Sequence, residues 1–153
     1  MKYKNVRNLI IEGPDGVGKT TLIKGLFKHY NYKYMCYHRG ELSNKVYAEK
    51  FGRPFYETQR GLPLLYIFLF VNEPELERRI GKRALEEGWT EEDLQHELSK
   101  VKDIWLFNKA YDEMQKNYDM FAVNTSFFSA EETLECIIKY LDEREKEDQE
   151  MNK

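Results

Sequence analysis

Apolar and polar positions along this chain follow two rhythms, a period of two and a period of 3.6, that trade places several times. Val6 to Glu12, with Val6, Leu9, Ile10 and Ile11 apolar, predicts a first strand. Lys19 to about Tyr30 predicts a helix with Leu22, Ile23, Leu26 and Phe27 as its inward stripe. Tyr32 to Tyr37, short and aromatic, reads as a second strand. Ser43 to Phe51 reads as a short helix ended by Gly52-Arg53-Pro54, and Phe55 to Gly61 fits a helical turn or a loop. Leu64 to Val71 is continuously apolar, as a central parallel strand buried on both faces must be. Pro74 sits where a helix N-terminus tolerates it. That helix runs to about Glu87, with Leu76, Ile80 and Ala84 inward, and stops at Gly88. Thr90 with Asp93 predicts the cap of one long helix reaching about Tyr118, with Leu94, Leu98, Val101, Trp105, Tyr111, Met114 and Tyr118 on one face. Met120 to Asn124 is the last strand. Ser129 with Glu132 caps a final helix that buries Leu134, Ile137, Ile138 and Leu141.

Strands alternating with helices predict an α/β fold: a parallel sheet of about four strands, flanked by helices and joined by right-handed crossovers. The pattern gives a single domain over residues 1–141. Residues 142–153, DEREKEDQEMNK, read as a charged, exposed, fraying helix end or tail. The chain has 153 residues, 41% hydrophobic and 33% charged, which is enough for a real core. Its net charge of −3 carries no basic footprint and argues against nucleic acid as a partner. The longest apolar run, Leu62 to Val71, is too short to span a bilayer, so no membrane partner is expected. The N-terminus lacks a signal-peptide pattern, and Cys36 and Cys136 read as reduced core thiols, which makes a cytoplasmic location the expectation.

The chemistry concentrates between the first strand and the first helix. Ile10 to Leu22 reads IIEGPDGVGKTTL, in which Gly13, Gly18, Lys19 and Thr20 satisfy G-x-x-x-x-G-K-[ST]. This is the phosphate-loop pattern in its required strand–turn–helix context, and it predicts the three-layer P-loop nucleoside triphosphate hydrolase fold. Glycines let successive N–H groups turn inward around an anion, and the helix start adds its partial positive charge. The expected cofactors are ATP and Mg²⁺, held by Gly13, Asp15, Gly16, Val17, Gly18, Lys19, Thr20 and Thr21. Lys19 would reach the β- and γ-phosphates, and the Thr20 hydroxyl would be the protein's metal ligand.

The loop also reads Glu12-Gly13-x-Asp15-Gly16-x-Gly18-Lys19-Thr20, which resembles the E-G-x-D-G-x-G-K-T loop of the thymidylate kinase family, including its Asp inside the loop. In that family the Asp holds the sugar 3′-hydroxyl of the acceptor, a role the resemblance passes to Asp15. His38 to Tyr47, HRGELSNKVY, is similar to the family's D-R-Y-x-x-S-x-x-A-Y, with Arg39, Ser43 and Tyr47 on matching positions. The resemblance gives Arg39 the acceptor phosphate, and places Ser43 and Tyr47 by the acceptor base and sugar. Read from the residues alone, Arg39 equally suits a surface ion pair and Tyr47 a helix core. Pro74-Glu75 with Arg79-Ile80 and Arg83 resembles the segment leading into the family's lid. Arginines there neutralise charge as a phosphoryl group moves, although Arg78, Arg79 and Arg83 also fit a solvated helix face. The catalytic candidates are therefore Lys19, Arg39, Arg79 and Arg83.

Two departures qualify the likeness. His38 stands where the family has an Asp that helps order Mg²⁺, and imidazole is a poor partner for that hard ion. The stretch between the first helix and His38 is too short for the strand, long helix and acceptor-gripping Arg that the family places there; Arg53 and Arg60 are candidate replacements. The missing carboxylate favours an acceptor whose attacking oxygen is already ionised, because a neutral 5′-hydroxyl needs a base. The expected activity is thus that of a compact thymidylate kinase-like enzyme, an ATP-dependent nucleoside monophosphate kinase acting on dTMP or a related deoxynucleotide. The alternatives are a deoxynucleoside or polynucleotide 5′-kinase, or a nucleotide-binding protein without catalysis. The expected partner is a small-molecule nucleotide, and a homodimer through the aromatic surface is left open.

Overall fold

The computed structural model describes residues 2–151. The elements are β1 (Asn8–Glu12), α1 (Lys19–Tyr30), β2 (Met35–His38), α2 (Glu41–Lys50), β3 (Leu64–Phe70), α3 (Glu73–Glu87), α4 (Glu91–Ser99), α5 (Asp103–Met114), β4 (Asp119–Asn124) and α6 (Ala130–Met151). The strands form one sheet in the order β2-β1-β3-β4, every pair parallel. Leu9 stands opposite Cys36 on one side and Leu65 on the other, and Ile67 stands opposite Phe121. The α/β expectation of a four-strand parallel sheet flanked by helices is what the chain adopts.

The alternation of strand side chains divides the core in two. Leu9, Ile11, Leu65, Ile67 and Leu69 face one layer, filled by Leu22 and Leu26 of α1 and Ile137 and Leu141 of α6. Ile10, Tyr66 and Phe68 face the other, filled by Leu42 and Val46 of α2 and Phe107, Ala110 and Met114 of α5. Gly25 permits the close approach of α1 and α6: a Cβ there would lie 2.7 Å from a Leu134 methyl.

Three expectations need correction, and one open reading is decided. The single long helix beginning after Thr90 is two helices. Between α4 and α5 the amides of Lys100, Val101, Asp103 and Ile104 bond three residues back, to Glu97, Leu98, Lys100 and Val101, which tightens the chain into a turn. The turn changes the helical phase, so Ile104 and Phe107 point inward while Trp105 is 65% exposed and donates to Glu73 at 3.0 Å. Phe27 is exposed rather than inward, packed edge-on to Tyr32, because β2 is the edge strand and leaves that flank of α1 uncovered. For residues 55–61 the loop, of the two readings left open, is what forms. Their place is set by the buried Glu41 carboxylate, which accepts from the Gln59 amide at 2.9 Å, the Thr58 hydroxyl at 3.0 Å, the Thr58 amide and the Tyr118 hydroxyl.

The charged C-terminal stretch is the third, and only in part: it is a mostly exposed helix end, but Arg144 within it is buried. Helix α6 runs through it to Met151; residues 152 and 153 lie outside the described residues. Arg144 is buried against Asp119, Asp142 accepts from the Tyr30 hydroxyl at 2.6 Å, and Asp148 accepts from the Asn5 amide at 3.0 Å. Among the described residues no helix is long and apolar enough to cross a membrane.

Candidate functional site

All four strands end at one edge of the sheet, where the connections after Glu12, His38, Phe70 and Asn124 leave it. Carboxyl ends of parallel strands are where open α/β sheets gather ligands. The connection after β1 is built for backbone rather than side chains. Gly13, Gly16 and Gly18 have φ of 147°, 84° and 104°, conformations that L side chains resist. A Cβ on Gly13 would lie 2.4 Å from the Leu69 carbonyl oxygen. Val17 is buried in the core and anchors the loop from beneath.

Gly18 is the N-cap of α1 and supplies no side-chain cap. The first amides of the helix therefore lack the partner that Ser, Thr or Asp gives elsewhere, which suits an anion. Lys19 is only 5% exposed, and its ammonium donates to the Gly13 and Pro14 carbonyls at 2.7 and 2.8 Å. Burial first, then the nearby Arg39 charge, pulls its pKa down to about 8. Thr20 and Thr21 are exposed beside it.

Two concavities meet at this loop. The larger is a cleft of about 1030 Å³ with Asp15, Gly16, Gly18, Lys19, Thr20, Thr21, Lys24 and His38 on one wall. Its other wall is α3, carrying Arg78, Arg79, Lys82 and Arg83 together with Glu86 and Glu87, and Trp89 and Glu97 complete the lining. The smaller niche, about 300 Å³, shares Gly16, Gly18, Thr21, Arg78 and Arg79 and adds Leu69, Thr125 and Phe128.

The α3 arginines differ in how firmly they are held. Arg79 donates to Glu75 at 3.0 Å and, with its other nitrogens, to the Thr125 hydroxyl at 3.1 Å and carbonyl at 2.5 Å. It is a fixed cation where the two concavities join. Arg78 chelates Glu75 at 2.9 and 2.7 Å. Arg78 first and Arg79 after it pull the Glu75 carboxyl down to about 2. Arg83 is exposed, donates to Glu87 at 3.1 Å and lies 5.4 Å over the Trp89 ring. Arg79 and Arg83 thus share the cleft wall with Lys19 opposite.

Arg39, Ser43 and Tyr47 are not in those walls. Arg39 follows β2 at φ 68°, its amide bonded to the Ile11 carbonyl and its guanidinium paired with Asp15. That guanidinium lies 5.6 Å over the Tyr47 ring. Both residue-level alternatives are therefore realised, an ion pair at Arg39 and helix-core packing at Tyr47, whose ring meets Phe107 edge-on at 6.1 Å. Ser43 is buried. Its hydroxyl and amide both donate to Glu12, at 2.6 and 2.9 Å, which turns it away from any ligand. Glu12 is itself fully buried. Burial raises its pKa, against the pull of Ser43, Gly40 and Lys19. Of the two suggested replacement arginines, Arg53 lies 5.1 Å over Phe51, and Arg60 donates to Asn117 at 3.1 Å, just ahead of β4 and at the opposite edge of the sheet.

His38 lines the large cleft, and burial, then the Lys19 and Arg39 charges, lowers its pKa, so it is unprotonated at neutral pH. Among the described residues no three His, Cys, Asp or Glu side chains cluster as a metal site. A Mg²⁺ here would depend on the Thr20 hydroxyl, water and the oxygens of a bound phosphate, the donor set this ion accepts. Sequence reasoning missed Lys24, Lys82 and Trp89 in the cleft and Thr125 as the anchor of Arg79. Lys24 is four residues after Thr20 and Lys82 three after Arg79, so helical spacing carried that signal.

No protein-family model matches the chain, and no curated protein matches it. Among solved structures it is similar to an uncharacterized protein from Eubacterium ventriosum ATCC 27560. That chain is 15% identical with a TM-score of 0.48, over 92% of this chain and 99% of the other. A likeness so distant carries no argument about the site.

Proposed function

We propose that this chain is a phosphate-loop kinase of the nucleoside monophosphate class, moving the γ-phosphate of ATP to a deoxynucleoside monophosphate such as dTMP. One observation carries the reading. Lys19, the uncapped start of α1 and the basic face of α3 all converge on a single cleft of about 1030 Å³. Cations on two walls of one cleft can supply positioning and charge neutralisation to an anion between them, which is most of what phosphoryl transfer asks of a protein. Loop amides and Lys19 would hold the donor phosphates, and Arg79 would stabilise the transferring group from a position already fixed by Glu75 and Thr125. The niche with Leu69 and Phe128 offers an apolar wall for the donor base. The Thr20 hydroxyl and the bound phosphates would hold Mg²⁺, which would supply charge neutralisation there.

The acceptor class rests on the end of β1. Both oxygens of Glu12 are engaged by Ser43, leaving no free carboxylate base at the end of β1. A monophosphate needs none. One observation favours a second reading: the unprotonated His38 in the cleft wall could serve as base for a nucleoside 5′-hydroxyl. ADP release from Mg²⁺-ATP across nucleosides and their monophosphates separates the two. The expected result is stimulation by one monophosphate, with His38→Ala changing the rate by less than about tenfold. Turnover with nucleosides alone, lost by about 10²-fold or more in His38→Ala, would establish the second reading. ATP binding with no acceptor turned over would reject both.

The pKa of Lys19 gives a further expectation. Near pH 8 the free lysine is about half neutral, and a bound polyphosphate favours its charged form, so binding takes up roughly half a proton. Affinity accordingly falls as pH rises through 8 and levels below it. Calorimetry of an ATP analogue in buffers of different ionisation enthalpy should show this uptake, and Lys19→Met should remove it.

A further inference from the structure

Beside the cleft, two cations converge on one carboxylate. The turn between α4 and α5 brings the Lys100 ammonium to 3.7 Å from one oxygen of Asp15, and the Arg39 guanidinium holds the other oxygen. We infer that Lys100 is an anion-gripping residue, which with Arg39 takes the phosphate of the acceptor once that phosphate displaces Asp15. This rests on the kinase reading of the same site and deepens it.

Four observations carry it. The side chains of Arg39, Lys100 and Asp15 are each about one third exposed, so an incoming anion reaches them and the pairs are screened by solvent. A phosphate presents oxygens to the same two donors with more charge than a carboxylate, and Arg matches it bidentately. Asp15 belongs to the loop that carries Lys19 and lines the cleft, so an anion seated there lies beside the donor phosphates. Arg39 is held at φ 68°, a conformation uncommon outside glycine and Asn, and such strain persists where the surroundings enforce it. The charges agree. Burial first lowers the pKa of both Lys19 and His38; Arg39 lowers both further, with Lys19 ahead of it at His38, against the pull of Asp15. Lys100 itself stays cationic, its pKa raised by the Glu97 carboxylate first and by Asp15 after it. Arg53 and Arg60, turned to Phe51 and Asn117, leave this position to Lys100.

The test is equilibrium binding of nucleoside monophosphates and the matching nucleosides to the full chain, with a non-hydrolysable ATP analogue present. At least one monophosphate is expected to bind. Lys100→Met should weaken it by about tenfold or more, the scale of a lost hydrogen bond to a charged group. Lys100→Arg should keep most of the affinity. Affinity for the ATP analogue and for nucleosides should stay within about twofold in both variants, because neither ligand calls on this grip. Unchanged monophosphate affinity in Lys100→Met, with transfer to the monophosphate intact, overturns the inference and leaves the kinase reading standing. Failure of every monophosphate to bind the native chain, while the analogue binds, overturns both. An equal loss for analogue and monophosphate also overturns the inference, since Lys100 would then be supporting the loop as a whole.

Discussion

On the proposed kinase reading, replacing Lys19 with methionine is expected to lower phosphoryl transfer by about 10²–10³-fold while leaving the protein as stable as before or slightly more so. The two halves of this result have one cause. The Lys19 ammonium is almost wholly buried, and its bonds go to the neutral carbonyls of Gly13 and Pro14 rather than to a carboxylate. Burial therefore penalises its charge, and its pKa falls from 10.5 to about 8. A lysine whose folded pKa lies below its unfolded one binds fewer protons when folded, between those two values. The folded state is thus penalised at neutral pH and recovers as pH climbs toward the unfolded pKa. That shift corresponds to roughly 3 kcal/mol, from which two hydrogen bonds of about 1 kcal/mol each must be subtracted. Methionine fills similar volume without the charge, so Tm at pH 7 should hold or rise. A polyphosphate in the cleft would supply the missing counter-charge, and that is where the lysine's cost is recovered. Denaturant unfolding and ADP release on the same preparation check both halves. A variant that unfolds early, or one that retains transfer within tenfold, contradicts the argument.

The glycine turn after β1 and the sheet were legible in the sequence because each is a local signal. G-x-x-x-x-G-K-T fixes its own backbone, and the apolar run from Leu64 needs no knowledge of its neighbours to read as a central strand. Arg79 and Arg83 were legible as a pair because helical spacing puts them on one face. Lys100 was not. Its position depends on a turn that contains neither Gly nor Pro, made because α4 packs on α3 while α5 packs on α2, a tertiary choice that helix propensity does not report. Ser43 fell on a family position, yet its hydroxyl went to Glu12, and no local rule foresaw a carboxylate buried at the end of β1. The same holds for Glu41, which organises residues 55–61 from far along the chain.

The acidic and basic run at the C-terminus is the mostly exposed helix end its composition suggests, but it hides one buried arginine, and that residue gives the second large effect. Arg144→Met is expected to destabilise the fold by about 3–5 kcal/mol. Arg144 and Asp119 are 6% and 2% exposed. The guanidinium donates to both Asp119 oxygens, to the Tyr3 carbonyl at 2.6 Å and to the Tyr140 hydroxyl at 3.2 Å, while Asp119 also accepts from the Tyr3 amide at 2.9 Å. One buried pair thereby ties the N-terminal segment, the first residue of β4 and α6 together. Removing the arginine leaves a carboxylate in the core with one amide for company, and that unpaired charge is the larger part of the cost. Asp119→Asn with Arg144→Met removes both charges, so the double variant should be more stable than Arg144→Met alone, a coupling that a double-mutant cycle reads directly. At roughly 2–4 °C per kcal/mol, the single variant should lose about 10 °C in Tm. Asp119 opens β4, whereas the glycine loop between β1 and α1 leaves the opposite edge of the sheet. Binding of an ATP analogue below the transition should therefore match the native chain. Additive losses in the cycle would mean that the pair is solvated in solution, and that residues 142–151 behave as the exposed end their composition suggests.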